Sequence, residues 1–115
     1  MNHPLRDVQF EWHDLPISRI SIVEKGLILN LMPFNESTQH YDLVSLSLLE
    51  PESMTFDIQG QLNLKDLDGL EVYDFSFTES APGRISGELG ILPNSGTIGY
   101  WKIQFTNSIW QLVSA

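Results

Sequence analysis

Apolar and polar residues alternate with a period of two along almost the whole chain, and a helical apolar stripe appears almost nowhere. Successive side chains of a strand point to opposite faces, so this pattern calls for half-buried strands. Val8, Phe10 and Trp12 alternate with Gln9 and Glu11 in a first segment that stops before Asp14 and Pro16. Ile20 and Ile22 lead into Glu24-Lys25-Gly26, a turn closed by glycine, and Leu27, Leu29 and Leu31 return as the second arm of a hairpin. Pro33 ends that arm, and the polar run from Asn35 to His40 reads as a loop.

A third strand is expected from Tyr41, with Val44, Leu46 and Leu48 on one face, until Pro51 forces a turn. Met54, Phe56 and Ile58 alternate with Thr55, Asp57 and Gln59, and Leu62 and Leu64 keep that phase past Gly60, a candidate bulge or bend. After a turn over Asp66-Leu67-Asp68-Gly69, the phase predicts Val72, Asp74 and Ser76 on one face and a buried aromatic face of Tyr73, Phe75 and Phe77 on the other. Ala81-Pro82-Gly83 turns into a strand carrying Ile85, Leu89 and Ile91, and Pro93-Asn94-Ser95-Gly96 reverses again. Two closing strands are expected: Trp101, Ile103 and Phe105 share a face in the first, Thr106-Asn107 breaks it, and Trp110 and Leu112 share a face in the second. About eight short strands joined mostly by tight turns predict an all-β chain, a single antiparallel β-sandwich or partly closed barrel. Residues 43–52 are the one stretch where a helix could hide, but serines between the leucines follow the strand period better.

Size is consistent with one domain over residues 1–115, because a second core would leave too few residues for each. A chain of 13.1 kDa buries about two-thirds of its unfolded surface, enough for a core without staples. Cysteine is absent, so disulfides, thiol chemistry and cysteine-ligated zinc are excluded. The first residues lack a basic segment followed by an apolar one, and the longest apolar stretch, 26–34, is interrupted by Asn30 and Pro33. The expectation is a cytoplasmic protein, in which the Asn35-Glu36-Ser37 sequon is simply a loop.

Fifteen acids against six bases give a formal net charge of −9. Such a surface repels phosphate backbones and anionic lipid heads, so neither nucleic acid nor membrane is expected as a partner. Solubility accounts for the charge, and a basic protein partner is the sharper reading.

The sequence offers no catalytic, cofactor or metal site. His3, His13 and His40 have no metal-ligand spacing, and His13 beside Asp14 is read as structural because neighbours on a strand point apart. No serine lies in a nucleophile elbow, and the glycines from Gly83 to Gly99 lack the order that cradles phosphate. Asp66, Asp68, Glu71 and Asp74 form the densest acidic cluster; it fails as a calcium loop, because a strand resumes at Leu70, and is kept as a set of candidate partner-binding acids. Trp12, His13, His40 and Tyr100 are kept as candidate ligand-facing residues, although core packing is the ordinary fate of tryptophan and tyrosine in such patterns.

The run Trp12-His13-Asp14, the hairpin around Lys25-Gly26, and Tyr100-Trp101-Lys102-Ile103-Gln104-Phe105 followed by Trp110 resemble short all-β bacterial proteins of the immunity-like kind. That resemblance spans most of the chain and implies a non-enzymatic protein that neutralises a toxin partner. It carries over no functional residue. The leading expectation is therefore a non-catalytic binding domain for a basic partner, as monomer or homodimer and with no cofactor. The alternative is a small-ligand or carbohydrate-binding domain using exposed aromatics.

Overall fold

The computed structural model describes residues 11–60, 69–93 and 99–114. Every regular element among them is a strand: β1 (Leu15–Val23), β2 (Gly26–Leu31), β3 (Phe34–Asn35), β4 (His40–Tyr41), β5 (Val44–Leu49), β6 (Ser53–Gly60), β7 (Leu70–Ala81), β8 (Arg84–Pro93) and β9 (Gly99–Ser114). The expected strand through Val8 and Phe10, the phase at Leu62 and Leu64, and the turn residues Asp66, Asp68 and Asn94 to Gly96 lie outside the described residues. Residues 43–52, the one stretch offered to a helix, carry β5.

Seven strands form one antiparallel sheet in the order β5-β2-β1-β7-β8-β9-β6, and β9 also pairs with β5, so the pairing returns on itself. β3 and β4 make a separate two-stranded sheet at the two ends of the run from Asn35 to His40 expected to be loop, whose middle is a turn. Its turn is held by Asn35, whose Oδ1 accepts from the Ser37 and Thr38 amides while its Nδ2 donates to Asp42. The strand expected from Tyr41 accordingly begins only at Val44.

The core takes the alternation literally on β2, β5, β8 and the first half of β9. Leu27, Leu29, Leu31, Leu46, Leu48, Leu89, Ile91, Ile103 and Phe105 are each essentially inaccessible to solvent. Burying one such side chain is worth about 1.5–3 kcal/mol, so this inner face dominates stability.

Elsewhere bulges reset the phase. Ile17 faces Leu31 and Arg19 faces Asn30, which leaves Ser18 as an extra residue. Leu15 and Ile17 before the bulge, and Ile20 and Ile22 after it, therefore lie on the same side of the sheet as β2's leucines. The strand starts earlier than the sequence suggests and takes in Pro16. On β7, Val72 faces Ile91 and Asp74 faces Gly90, so Tyr73 is extra. The expected aromatic face is corrected accordingly: Val72, Phe75 and Phe77 turn inward, Asp74 and Ser76 outward, and Tyr73 is 45% exposed.

The break expected at Thr106-Asn107 is a bend within one strand. β9 pairs with β8 along one edge, and along the other first with β6 and then with β5. Asn107 (φ 51) and Glu50 (φ 49) adopt left-handed backbone at the changeover. Asparagine tolerates that region well, so the chain kinks there without ending. Arg84 secures both kinks, its Nη1 donating to the Asn107 carbonyl at 2.7 Å and to the Glu50 carbonyl at 3.4 Å. Ser86 Oγ accepts the Asn107 N–H at 2.8 Å, and buried Ser108 donates to the Leu49 carbonyl at 3.1 Å. Gly26 is required where β2 meets β5, because a Cβ there would run into the Leu48 carbonyl oxygen.

Candidate functional site

Among the described residues, two surface regions bring together side chains from segments far apart in the sequence. The first grows from the turn before β1. Asp14 takes a left-handed backbone (φ 62), and its N–H donates to the Val72 carbonyl at 2.8 Å, docking the turn on β7. Because this is a turn and not a strand, His13 and Asp14 come together instead of pointing apart, with Nε2 3.4 Å from Asp14 Oδ2. The reading that separated them is corrected by that backbone.

His13 Nδ1 lies 2.7 Å from the Tyr73 carbonyl oxygen, so Nδ1 carries the proton and donates, and Nε2 is the nitrogen that titrates. The imidazole pKa is raised, first by this backbone hydrogen bond, then by Asp14, with smaller contributions from Glu71 and Asp74. Both partners of the His13–Asp14 pair are well exposed, at 61% and 64%, so water screens the attraction and it binds weakly.

Three rings continue across the outer face. His13 meets Tyr73 edge to face at 5.5 Å, and Tyr73 meets Tyr100 at 6.0 Å and 89°. The Tyr100 hydroxyl occupies the space over Gly90, where a Cβ would stand 2.7 Å from it. Further along this face Glu88 pairs with Lys102 at 3.3 Å and accepts from Gln104 at 3.1 Å.

Of the residues singled out in the sequence, His13, Glu71, Asp74 and Tyr100 thus gather around Tyr73, which the alternation had assigned to the core. Trp12 packs half-buried with its ring against Phe75, centroids 4.8 Å apart. His40 is exposed on the separate β3–β4 sheet, beside Phe34 and Tyr41, whose rings meet at 5.2 Å. Asp66 and Asp68 lie outside the described residues. Among the described residues no group of three or more histidines, cysteines or carboxylates could hold a metal ion.

The second region was not singled out at all. The β1–β2 turn faces the kink between β5 and β6, and the Glu50 N–H donates to the Lys25 carbonyl at 2.7 Å across them. Between them runs an open groove of about 380 Å³. Ile22, Val23, Pro51, Met54 and Phe56 supply its apolar lining, and Glu24, Glu50 and Glu52 outnumber Lys25 among its charged residues. Ile22 is 69% exposed, and Phe56 and Ile58 on β6 are 41% and 44% exposed. The sequence holds a signal for this region in the three glutamates flanking two turns, but nothing in the sequence says that the two turns meet.

Comparison of the chain with protein-family models, with curated proteins and with solved structures gives no match.

Proposed function

We propose that this chain is a non-catalytic interaction domain that takes a basic protein partner on the groove between the β1–β2 turn and β6. The observation that carries the reading is the groove's composition. Exposed apolar side chains sit beside three glutamates and one lysine, on a chain of net charge −9. Contiguous exposed apolar surface rimmed by polar groups is the mark of a protein contact, and the negative field steers a basic partner to it. An immunity-type role, in which the partner is a toxin, is the form of this reading that the sequence resemblance implies.

The architecture that fits best is a partly closed barrel, supported by the pairing of β5 with both β2 and β9. In that form β6 lies outside the circuit, paired with β9, and its first residues line the groove.

The test compares the native chain with a variant carrying Glu24→Gln, Glu50→Gln and Glu52→Gln. The native chain should retain a basic protein from its host at low salt and release it near about 0.5 M, where the screening length falls to a few ångströms. The variant should retain less than about a tenth as much. Equal retention by both would remove the groove from the reading.

A second reading rests on the His13–Tyr73–Tyr100 row, which offers ring edges and a titrating imidazole to a small polar ligand such as a sugar. Chemical-shift perturbation of these rings by millimolar monosaccharides tests it, and unmoved resonances overturn it.

A further inference from the structure

We infer that the partner is bound as an added β-strand, an extended basic segment laid along the outer edge of β6. This rests on the interaction reading above and specifies its mode and the chemistry of the segment. β6 pairs with β9 along one edge from Ser53 to Gly60, and among the described residues no strand pairs with its other edge. Alternate residues of such a strand turn their N–H and C=O groups outward, a template for one more strand. Natural sheets blunt edges of this kind with proline, lysine or a bulge. Ser53–Gly60 contains no proline or lysine, and its register with β9 runs unbroken over eight pairs.

Side chains set what the added strand must carry. Phe56 and Ile58 lie on the same face as Ile103 and Trp101, their partners on β9, but remain more than two-fifths exposed. An adjoining strand with apolar residues at alternate positions would cover them, since neighbouring side chains on one face of a sheet lie within contact distance. On the opposite face Asp57 is flanked by Thr55 and Gln59, so the intervening positions favour lysine or arginine. Past Ser53 the same line runs onto the glutamates of the groove. A second copy of this chain is the poorer occupant, because two chains of net charge −9 repel each other. Charge complementarity commits the edge to a basic segment.

The experiment titrates the full chain with three synthetic octapeptides, alternating lysine–valine, alternating glutamate–valine, and lysine–valine N-methylated at alternate positions. The methylated peptide is made in two isomers, on the lysines or on the valines. Lysine–valine should bind at least tenfold more tightly than glutamate–valine and shift amide resonances of residues 53–60. One methylated isomer should bind at least tenfold more weakly, because one set of alternate N–H groups faces β6. Phe56→Ser, at a position 41% exposed, should weaken lysine–valine at least threefold while the amide spectrum of the free chain stays dispersed. Equal binding by both isomers and the parent peptide overturns strand addition. Absence of lysine–valine binding also overturns it, and if the chain still captures a basic protein in a glutamate-dependent way, the interaction reading survives that loss. Loss of both brings down the two together.

Discussion

β5 and β6 lie end to end along the same edge of β9, each antiparallel to it and each with an apolar residue at every second position. Their fates differ. Val44, Leu46 and Leu48 are buried, whereas Phe56 and Ile58 remain more than two-fifths exposed. β5 has β2 on its far side, and its inner face meets the packed core, while among the described residues β6 has β9 alone. A period of two reports that a segment is a strand and which residues share a face; whether that face is covered depends on neighbours that the segment does not encode.

The sharpest way to break this comparison is to truncate both strands. Leu46→Ala should cost about 2–5 kcal/mol, as expected for an inaccessible leucine. Ile58→Ala, on the same sheet, should cost less than about 1 kcal/mol, in line with partial burial. Urea unfolding followed by tryptophan fluorescence reads both, and equal losses would mean that β6 is as well covered as β5. Next in size is the kink that separates the two strands. Arg84→Ala removes the donor to the Asn107 and Glu50 carbonyls and should cost about 1–3 kcal/mol, with Arg84→Lys recovering part of it. If Arg84→Ala is neutral, the kink is held by its remaining hydrogen bonds, among them those of Ser80, Ser86, Ser108 and the Glu52 N–H.

The smallest effect concerns the turn in front of β1. The folded His13 has a raised pKa, so its contribution to stability is fully present below the unfolded value near 6.5 and is lost as pH rises through the folded value. Titration of the His13 ring by NMR should give a midpoint above that of His13 in the unfolded chain. Asp14→Asn should lower it without abolishing the shift, because the Tyr73 carbonyl remains. A midpoint unmoved by Asp14→Asn would leave the shift to the backbone bond and the more distant Glu71 and Asp74.

Much of the fold was legible in the alternation. β2, β5, β8 and the first half of β9 present the faces the sequence predicts, and Pro33, Pro51 and Gly83 fall where strands pause. The misplaced faces share one cause. Ser18, Tyr73 and the segment at Asn107 are each one residue too many against a partner strand, and a bulge is a property of two strands in register, so a single segment carries no sign of it. Tyr73 was misplaced for that reason, and with it the centre of the aromatic row. The His13–Asp14 contact was missed because Asp14 is left-handed, a conformation aspartate adopts often enough to be allowed but too seldom to be assumed. The groove was invisible because residues 22–26 and 50–56 meet only after the sheet has bent.

The sixteen residues of β9 complete the pairing of β5, β6 and β8, linking Val44 to Ser114 and Arg84 to Ile109. During synthesis all three of these strands leave the ribosome before the one that joins them. Until β9 follows, the nascent chain holds hairpins with waiting edges, and no sequence-local contact can substitute. Folding therefore has its late, committing step built into the order of translation. A pause before residue 99 would prolong the interval in which those edges are open to intermolecular pairing, making β9 the segment whose timely arrival protects the chain from aggregation.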